Sequence, residues 1–400
     1  MENAAPVPAL VRPPNWAPSV SPRRVPLWRH AVHIVVAIAM IVVIVAVIVH
    51  VVPLILGRPA RRVHLSAIAL VGRFLLLMLL FPPVVLAHEL GHALVGTLAG
   101  WRLQSLFVGP WRFVREGARM RIVWHRSFFY YGGAAVVTPR EWTSDERIRR
   151  AFRQMVAGGP LASLLLAFAL TALLAATHGG AWRFYVMVAA TMSFAIGVGT
   201  LVPIRQTNSI RNDGLQLFLS RPRDRAGNPR PLDPGIRLGA LVLMLTERRP
   251  REWSVGMVET LAASPLHQRQ MFEYYRALDN ADASSARDIL QSTIDRVAAA
   301  PGVAASRARQ DVALEAATFE AAWRRDLRAA RDWLAIGDPA LRWDPHGVWI
   351  ARAAIHAAAN EQPEARHALA EAERNALRRM TARVDLLRAP LIERIRMLLK

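Results

Sequence analysis

Cysteine is absent from the 400-residue chain. That excludes disulfides and thiolate metal sites, and leaves His, Asp and Glu as the strong metal ligands. Lysine occurs once, at Lys400, so nearly all positive charge is arginine. Acidic residues are scarce too: 30 against 51 basic ones give a formal net charge of +21. So basic a chain raises the question of nucleic acid. The arginines, however, are dispersed over loops and helices, and no nucleic-acid module is recognisable. Anionic lipid headgroups are therefore the expected counterpart, and no nucleic-acid partner is expected. Charged residues make up only 20% and hydrophobic ones 53%. Lipid-buried segments joined to Arg-rich ones fit that combination better than one soluble globule.

What the chain does have is long uncharged runs. Residues 1–30 are Pro-rich and polar, with Arg12, Arg23, Arg24 and Arg29, and read as a flexible tail. Residues 31–56 carry no formal charge. A bilayer core needs about 20 apolar residues in a helix, so this run predicts a first transmembrane helix; it is too long for a cleaved signal peptide. Apolar stretches at 65–99 (interrupted by Arg73 and Pro82-Pro83), 154–177 and 182–204 bring the expected total to about four. Residues 101–137 alternate apolar and polar and break at Glu116-Gly117, predicting a small hairpin or sheet between spans two and three. A Pro- and Gly-rich linker at 223–234 precedes an Ala- and Arg-rich helical region, 235–400. Within it ARDIL, ARDWL and ARHAL begin at Ala286, Ala330 and Ala365, 44 and 35 residues apart. Such spacing suggests a helical-repeat domain of tetratricopeptide-like type. The stretch 236–246 is too short to span and reads as a packing helix. The fold class expected is thus mainly α: a polytopic membrane protein with a small β element and a cytosolic helical-repeat domain. Four arginines precede the first span and eleven lie in 101–153. By the positive-inside rule both termini are cytoplasmic, with the 57–64 loop, which carries Arg58, Arg61 and Arg62, fitting least well.

The stretch LAHELGHALVG, residues 86–96, holds His88, Glu89 and His92 in H-E-x-x-H order. Residues four apart share a helix face, so both imidazoles can reach one ion, with Glu89 positioned as general base toward a metal-bound water. An amphipathic surface helix is the bland alternative, but the flanking residues are Leu86, Ala87, Leu90, Ala93, Leu94 and Val95. Ionisable groups in such surroundings are functional candidates by default. A catalytic zinc site usually has three protein ligands. His33 and His50 fall in the first span and His125 and His178 in loops, which makes them poor candidates. Asp213, in RNDGLQLF just after the fourth span, is the better one. In isolation Asp213-Gly214 reads as a turn or helix cap; the preceding span and the missing third ligand reverse that preference.

At this point the chain resembles the site-2 protease family of intramembrane zinc metalloproteases, over about residues 65–222. AHELGHA (87–93) is similar to the family's active-site helix, and the segment ending in Gly132-Gly133 to its region between core helices. GGPLAS (158–163) resembles its G-P-x-x-N element, with Ser163 in place of Asn. LVPIRQTNSIRNDG (201–214) resembles its N-x-x-P…D-G element, with Thr200 where the family has Asn. The resemblance implies one zinc ion held by His88, His92 and Asp213, with Glu89 catalytic. It also implies a substrate-handling role for Thr200, or for Asn208 or Asn212 in its stead. Gly91 and Gly96 are expected to let neighbouring helices approach the active helix closely. With span two starting near residue 70, His88 lies about 27 Å along it, toward the cytosolic end. An exposed strand edge within 101–137 is expected to hold an unwound substrate as an added strand. The activity expected is zinc-dependent endoproteolysis of membrane-embedded or membrane-associated proteins, in a bacterial inner membrane. The bilayer is the expected surroundings, and a protein partner is expected on 235–400. Two alternatives are a catalytically silent membrane scaffold working through that domain, and a soluble zinc peptidase. The uncharged 31–56 run opposes the latter.

Overall fold

The second apolar stretch folds as one helix, α1 (Ala67–Leu98), unbroken by Arg73 or by Pro82 and Pro83. Proline is tolerated inside such helices because neighbouring helices and local adjustments satisfy the freed backbone groups. The computed structural model describes residues 7–13, 16, 67–116, 119–124, 133–142, 144–180, 182–203, 211–224, 226–246, 248–253, 268–300, 303–342, 344–376 and 384–400. The expected first span at 31–56, the 57–64 loop and Asn208 lie outside these residues.

Four antiparallel strands follow α1: β1 (Trp101–Val108), β2 (Trp111–Glu116), β3 (Arg119–Trp124) and β4 (Ala134–Pro139). They form one sheet in the order β3-β2-β1-β4. The break expected at Glu116-Gly117 is the β2–β3 connection, with Glu116 opposite Arg119. On β1, register shifts between Leu103 and Ser105 opposite β4. One face of the sheet is sealed: Trp101 and Val137 pack with Ile148, Ala151, Leu232, Ile236 and Ala240. The outer strand β3 is largely exposed, with Met120, Ile122 and Trp124 facing outward.

Helix α2 (Asp145–Ala176) begins where Ser144 caps the Arg147 N–H and Asp145 and Glu146 sit in the first turn. Both features favour the positive end of the helix dipole. With α3 (Trp182–Leu201), the described residues contain three helices long and apolar enough to cross a membrane. Leu161, Leu165 and Phe168 project outward from α2, whereas Gly158, Gly159, Pro160 and Ser163 are buried. A short helix, α4 (Asp213–Leu219), leads to α5 (Pro234–Leu245). The latter is capped by Asp233, which accepts from the Gly235 and Ile236 N–H groups, and at 12 residues it is the packing helix expected near 236–246.

The described residues of the carboxy-terminal region form helices: α6 (Gln268–Asp279), α7 (Ala283–Ala299), α8 (Val303–Phe319), α9 (Leu327–Gly337), α10 (Pro345–Ala358), α11 (Gln362–Ala376), α12 (Val384–Leu387) and α13 (Ala389–Leu398). A π-helical turn at Glu320–Arg324 extends α8. The three motif copies lie on α7, α9 and α11, and Ala286, Ala330 and Ala365 are fully buried. Small residues at these positions let the helices pack closely. Residues 7–13 and 16, expected to belong to a flexible tail, are held on this domain, with Leu10 and Trp16 inside its core.

One ionic cluster ties the domain together. Arg388 Nη2 lies 2.8 Å from Glu315 Oε1 and 2.9 Å from Asp344 Oδ2. The Tyr275 hydroxyl donates to Glu315 at 2.6 Å, and Asp344 caps α10 by accepting the Gly347 N–H. Burial raises the Glu315 carboxyl above its usual range, against the opposing pull of Arg388. Two acids therefore depend on one buried cation. Arg388→Met is expected to lower unfolding stability by about 3–5 kcal/mol, the cost of stranding buried charge. Adding Glu315→Gln should recover part of that loss. Thermal or urea melting of the detergent-solubilised chain measures both.

Candidate metal centre

Three donor atoms from two distant parts of the chain converge. His88 Nε2 lies 3.1 Å from Asp213 Oδ2 and 3.2 Å from His92 Nε2, and His92 Nε2 lies 3.5 Å from Asp213 Oδ2. Ligands about 2.0–2.1 Å from a tetrahedral zinc ion are separated from each other by about 3.3 Å. The observed triangle therefore matches one face of such a tetrahedron, and its donors are the nitrogen and oxygen types that zinc accepts. Among the described residues these three form the group able to hold a metal ion.

The outer nitrogens fix how the rings present themselves. His92 Nδ1 is 2.9 Å from the Met155 carbonyl. A carbonyl only accepts, so Nδ1 carries the proton and Nε2 keeps its lone pair for a metal. His88 Nδ1 lies 2.9 Å from Ser163 Oγ, and the Ser163 carbonyl accepts from Ser193 Oγ at 2.8 Å. Helices α2 and α3 thereby hold the first imidazole in place. The two rings meet edge to face, centroids 4.8 Å apart.

Asp213 is brought in by the shape of α4. Asn212 caps the helix: its Oδ1 accepts the Leu215 N–H at 3.1 Å, and its Nδ2 donates to the Val202 carbonyl at the end of α3. At the other end of α4, Arg153 donates to the Leu217 carbonyl at 3.2 Å. Gly214 makes the approach possible, since a Cβ there would lie 2.0 Å from the Leu201 carbonyl oxygen. The D-G pair is thus a candidate ligand followed by the one residue type that can touch the α3 backbone.

Glu89 is buried next to His88, and its carboxylate accepts the backbone N–H of Ala135. Strand β4 therefore begins directly over it, and its far side has no strand partner among the described residues.

Residues 74–322 match the family model described as Peptidase family M50, the site-2 protease family. The chain belongs to that family. No curated protein and no solved structure matches it. Family M50 membership carries zinc-dependent intramembrane metalloprotease chemistry in general terms. The match runs to residue 322, beyond the core boundary expected at 222 and into the carboxy-terminal helices.

In this M50 peptidase the structure brings His88, Glu89, His92 and Asp213 together, while Thr200 and Asn212 are engaged with backbone and Asn208 lies outside the described residues. Thr200 bonds back to the Gly197 carbonyl within α3, at 3.4 Å, instead of reaching the three donors. Asn212 acts on the backbone as a cap. Sequence reasoning gave no role to Ser163, Met155, Ala135 or Gly159. For Ser163 and Gly159 a signal did exist. Gly159 and Ser163 are four apart, as are His88 and His92, so two crossing helices can match Gly159 to His92 and Ser163 to His88. A Cβ on Gly159 would lie 2.2 Å from His92 Nε2. Gly159→Ala is therefore expected to displace that ring and weaken zinc binding about 10–100-fold. Zinc content after equilibration with graded chelator, beside an unchanged helical circular dichroism signal, measures it.

Proposed function

We propose that the chain is a zinc-dependent intramembrane endopeptidase acting on membrane-embedded or membrane-associated proteins. The observation that carries this reading is the His88–His92–Asp213 donor triangle, set beside Glu89 among helices apolar enough to lie in a bilayer. His88 and His92 present their Nε2 atoms and Asp213 its Oδ2 to one shared point. These three residues would hold a zinc ion, which would supply a water of lowered pKa and polarise the scissile carbonyl. Glu89 takes the proton from the attacking water at its carboxylate and returns it to the leaving amide nitrogen. The Ala135 N–H, donated to that carboxylate, keeps it aimed at the site.

A helical substrate has its carbonyls engaged in its own hydrogen bonds and must unwind before cleavage. In this reading the outer edge of β4 receives the unwound segment as an added strand, and the Ala135–Glu89 contact puts that strand next to the proton carrier. The 31–56 run serves as a fourth span, which leaves both termini cytoplasmic. Two observations support that topology. Arginines concentrate before 31 and in 101–153, and residues 7–13 and 16 pack on the carboxy-terminal domain. An even number of crossings must separate segments that touch, and the described helices supply three.

Glu89→Gln is expected to retain zinc at wild-type stoichiometry while lowering cleavage of a membrane-embedded substrate by at least about 10²–10⁴-fold. His88→Ala, His92→Ala and Asp213→Ala should instead lose zinc. Normal proteolysis by Glu89→Gln would sink the mechanism. Proline substitutions along the outer edge of β4 delete donors for an added strand. They are expected to lower cleavage by about tenfold with zinc content unchanged, the worth of one or two hydrogen bonds. Undiminished cleavage would rule out docking on that edge.

A further inference from the structure

The amino-terminal segment is held in a way that a mere tail is not. Gln291 on α7 grips the backbone of Val11 twice: its Oε1 accepts the Val11 N–H at 2.8 Å and its Nε2 donates to the Val11 carbonyl at 3.0 Å. Arg287, one turn earlier, donates to the Ala9 carbonyl at 2.8 Å, and Arg324 to the Val7 carbonyl at 3.1 Å. The Leu10 N–H donates to Glu320 Oε1 at 2.8 Å across 310 residues of sequence. Glu320 is fully buried, and its other oxygen is met by Arg324. A buried carboxylate needs such donors, and here a distant backbone amide supplies one. Two side chains are anchored. Leu10 is buried, and so is Trp16, which stands edge-on to Trp333 with centroids 5.5 Å apart. Pro8, Ala9, Val11 and Arg12 face outward.

Recognition through backbone groups, with two apolar anchors and exposed side chains between them, is how a receptor holds an extended peptide. Pro8 and Pro13 fix φ near the extended range and reduce the entropy lost on docking. A π-helical turn such as Glu320–Arg324 is a frequent mark of a functional site. We infer that the groove formed by Arg287, Gln291, Glu320, Arg324 and Trp333 is a peptide-binding site of the carboxy-terminal domain, with the chain's own residues 7–13 and Trp16 as resident ligand. Its ligand class is an extended segment carrying an aliphatic residue and, six positions later, a tryptophan. A partner protein's segment of that chemistry competes with the resident one. This inference does not rest on the protease reading, because binding is measured without cleavage.

The test uses the full-length protein in detergent and a fluorescent peptide of sequence VPALVRPPNW. Tethering gives the resident segment an effective concentration that an added peptide must overcome. Wild-type chain should therefore bind the peptide weakly, and a Leu10→Asp/Trp16→Ala chain at least about tenfold more tightly. Adding Gln291→Ala and Arg287→Ala to that chain should abolish the gain. No saturable binding to the Leu10→Asp/Trp16→Ala chain would overturn the proposal. So would equal binding of a scrambled peptide, or binding that ignores Gln291→Ala. Hydrogen exchange on the unmodified chain guards against misfolding of the variants: saturating peptide should speed exchange at the Leu10 and Val11 amides. Unchanged protection of both amides would also overturn the proposal.

Discussion

Two helix backbones in contact are the condition for everything at the metal centre. A Cβ on Gly91 would lie 2.3 Å from the Gly158 carbonyl oxygen, and one on Gly158 would lie 2.5 Å from the Gly91 oxygen. Small residues at a crossing let membrane helices approach this closely, where dispersion and hydrogen bonds must replace the hydrophobic effect. Because α1 and α2 touch there, the Met155 carbonyl reaches His92 and the Ser163 hydroxyl reaches His88. Wider spacing would leave both imidazoles free to rotate, and the order of the three donors would be lost.

The candidate site residues were easy to read because the chemistry proposed for them needs particular side chains at a fixed helical spacing. His88, Glu89 and His92 lie on one helix, so periodicity alone placed them together. Asp213 was reached by elimination and resemblance, and the structure explains the pairing with Gly214 through the α3 backbone. The partners of the imidazoles were harder to see. A carbonyl such as that of Met155 and an N–H such as that of Ala135 belong to every residue, so no letter marks them. The hold on residues 7–13 and Trp16 was hidden for a related reason. The segment's composition is polar and Pro-rich on average, yet two buried side chains and a row of backbone hydrogen bonds suffice to hold it. The boundary at 222 rested on a Pro- and Gly-rich linker, whereas the family match continues through it to residue 322.

The two halves of the chain solve the same electrostatic problem differently. In the carboxy-terminal domain, Glu315 and Asp344 are buried against one arginine and a tyrosine hydroxyl, so protein groups supply the compensation. At the candidate metal centre, two imidazole nitrogens and a carboxylate oxygen face one another within 3.5 Å. A set of metal-ligating atoms of that kind is what a dication stabilises.

The ties around Asp213 limit how the membrane core can move. Asn212 fastens α4 to the Val202 carbonyl, Gly214 presses it on Leu201, and Ser193 of α3 is bonded to the Ser163 carbonyl of α2. Helices α2, α3 and α4 are therefore tied together, and α1 meets them through its backbone contact with α2 at Gly91 and Gly158 and through its two imidazoles. A motion that swung α3 away from α2 would carry Asp213 off with it and break up the donor triangle. In the proposed reading substrate approaches Glu89 along the outer edge of β4, which has no strand partner among the described residues, and that approach leaves all of these bonds unbroken.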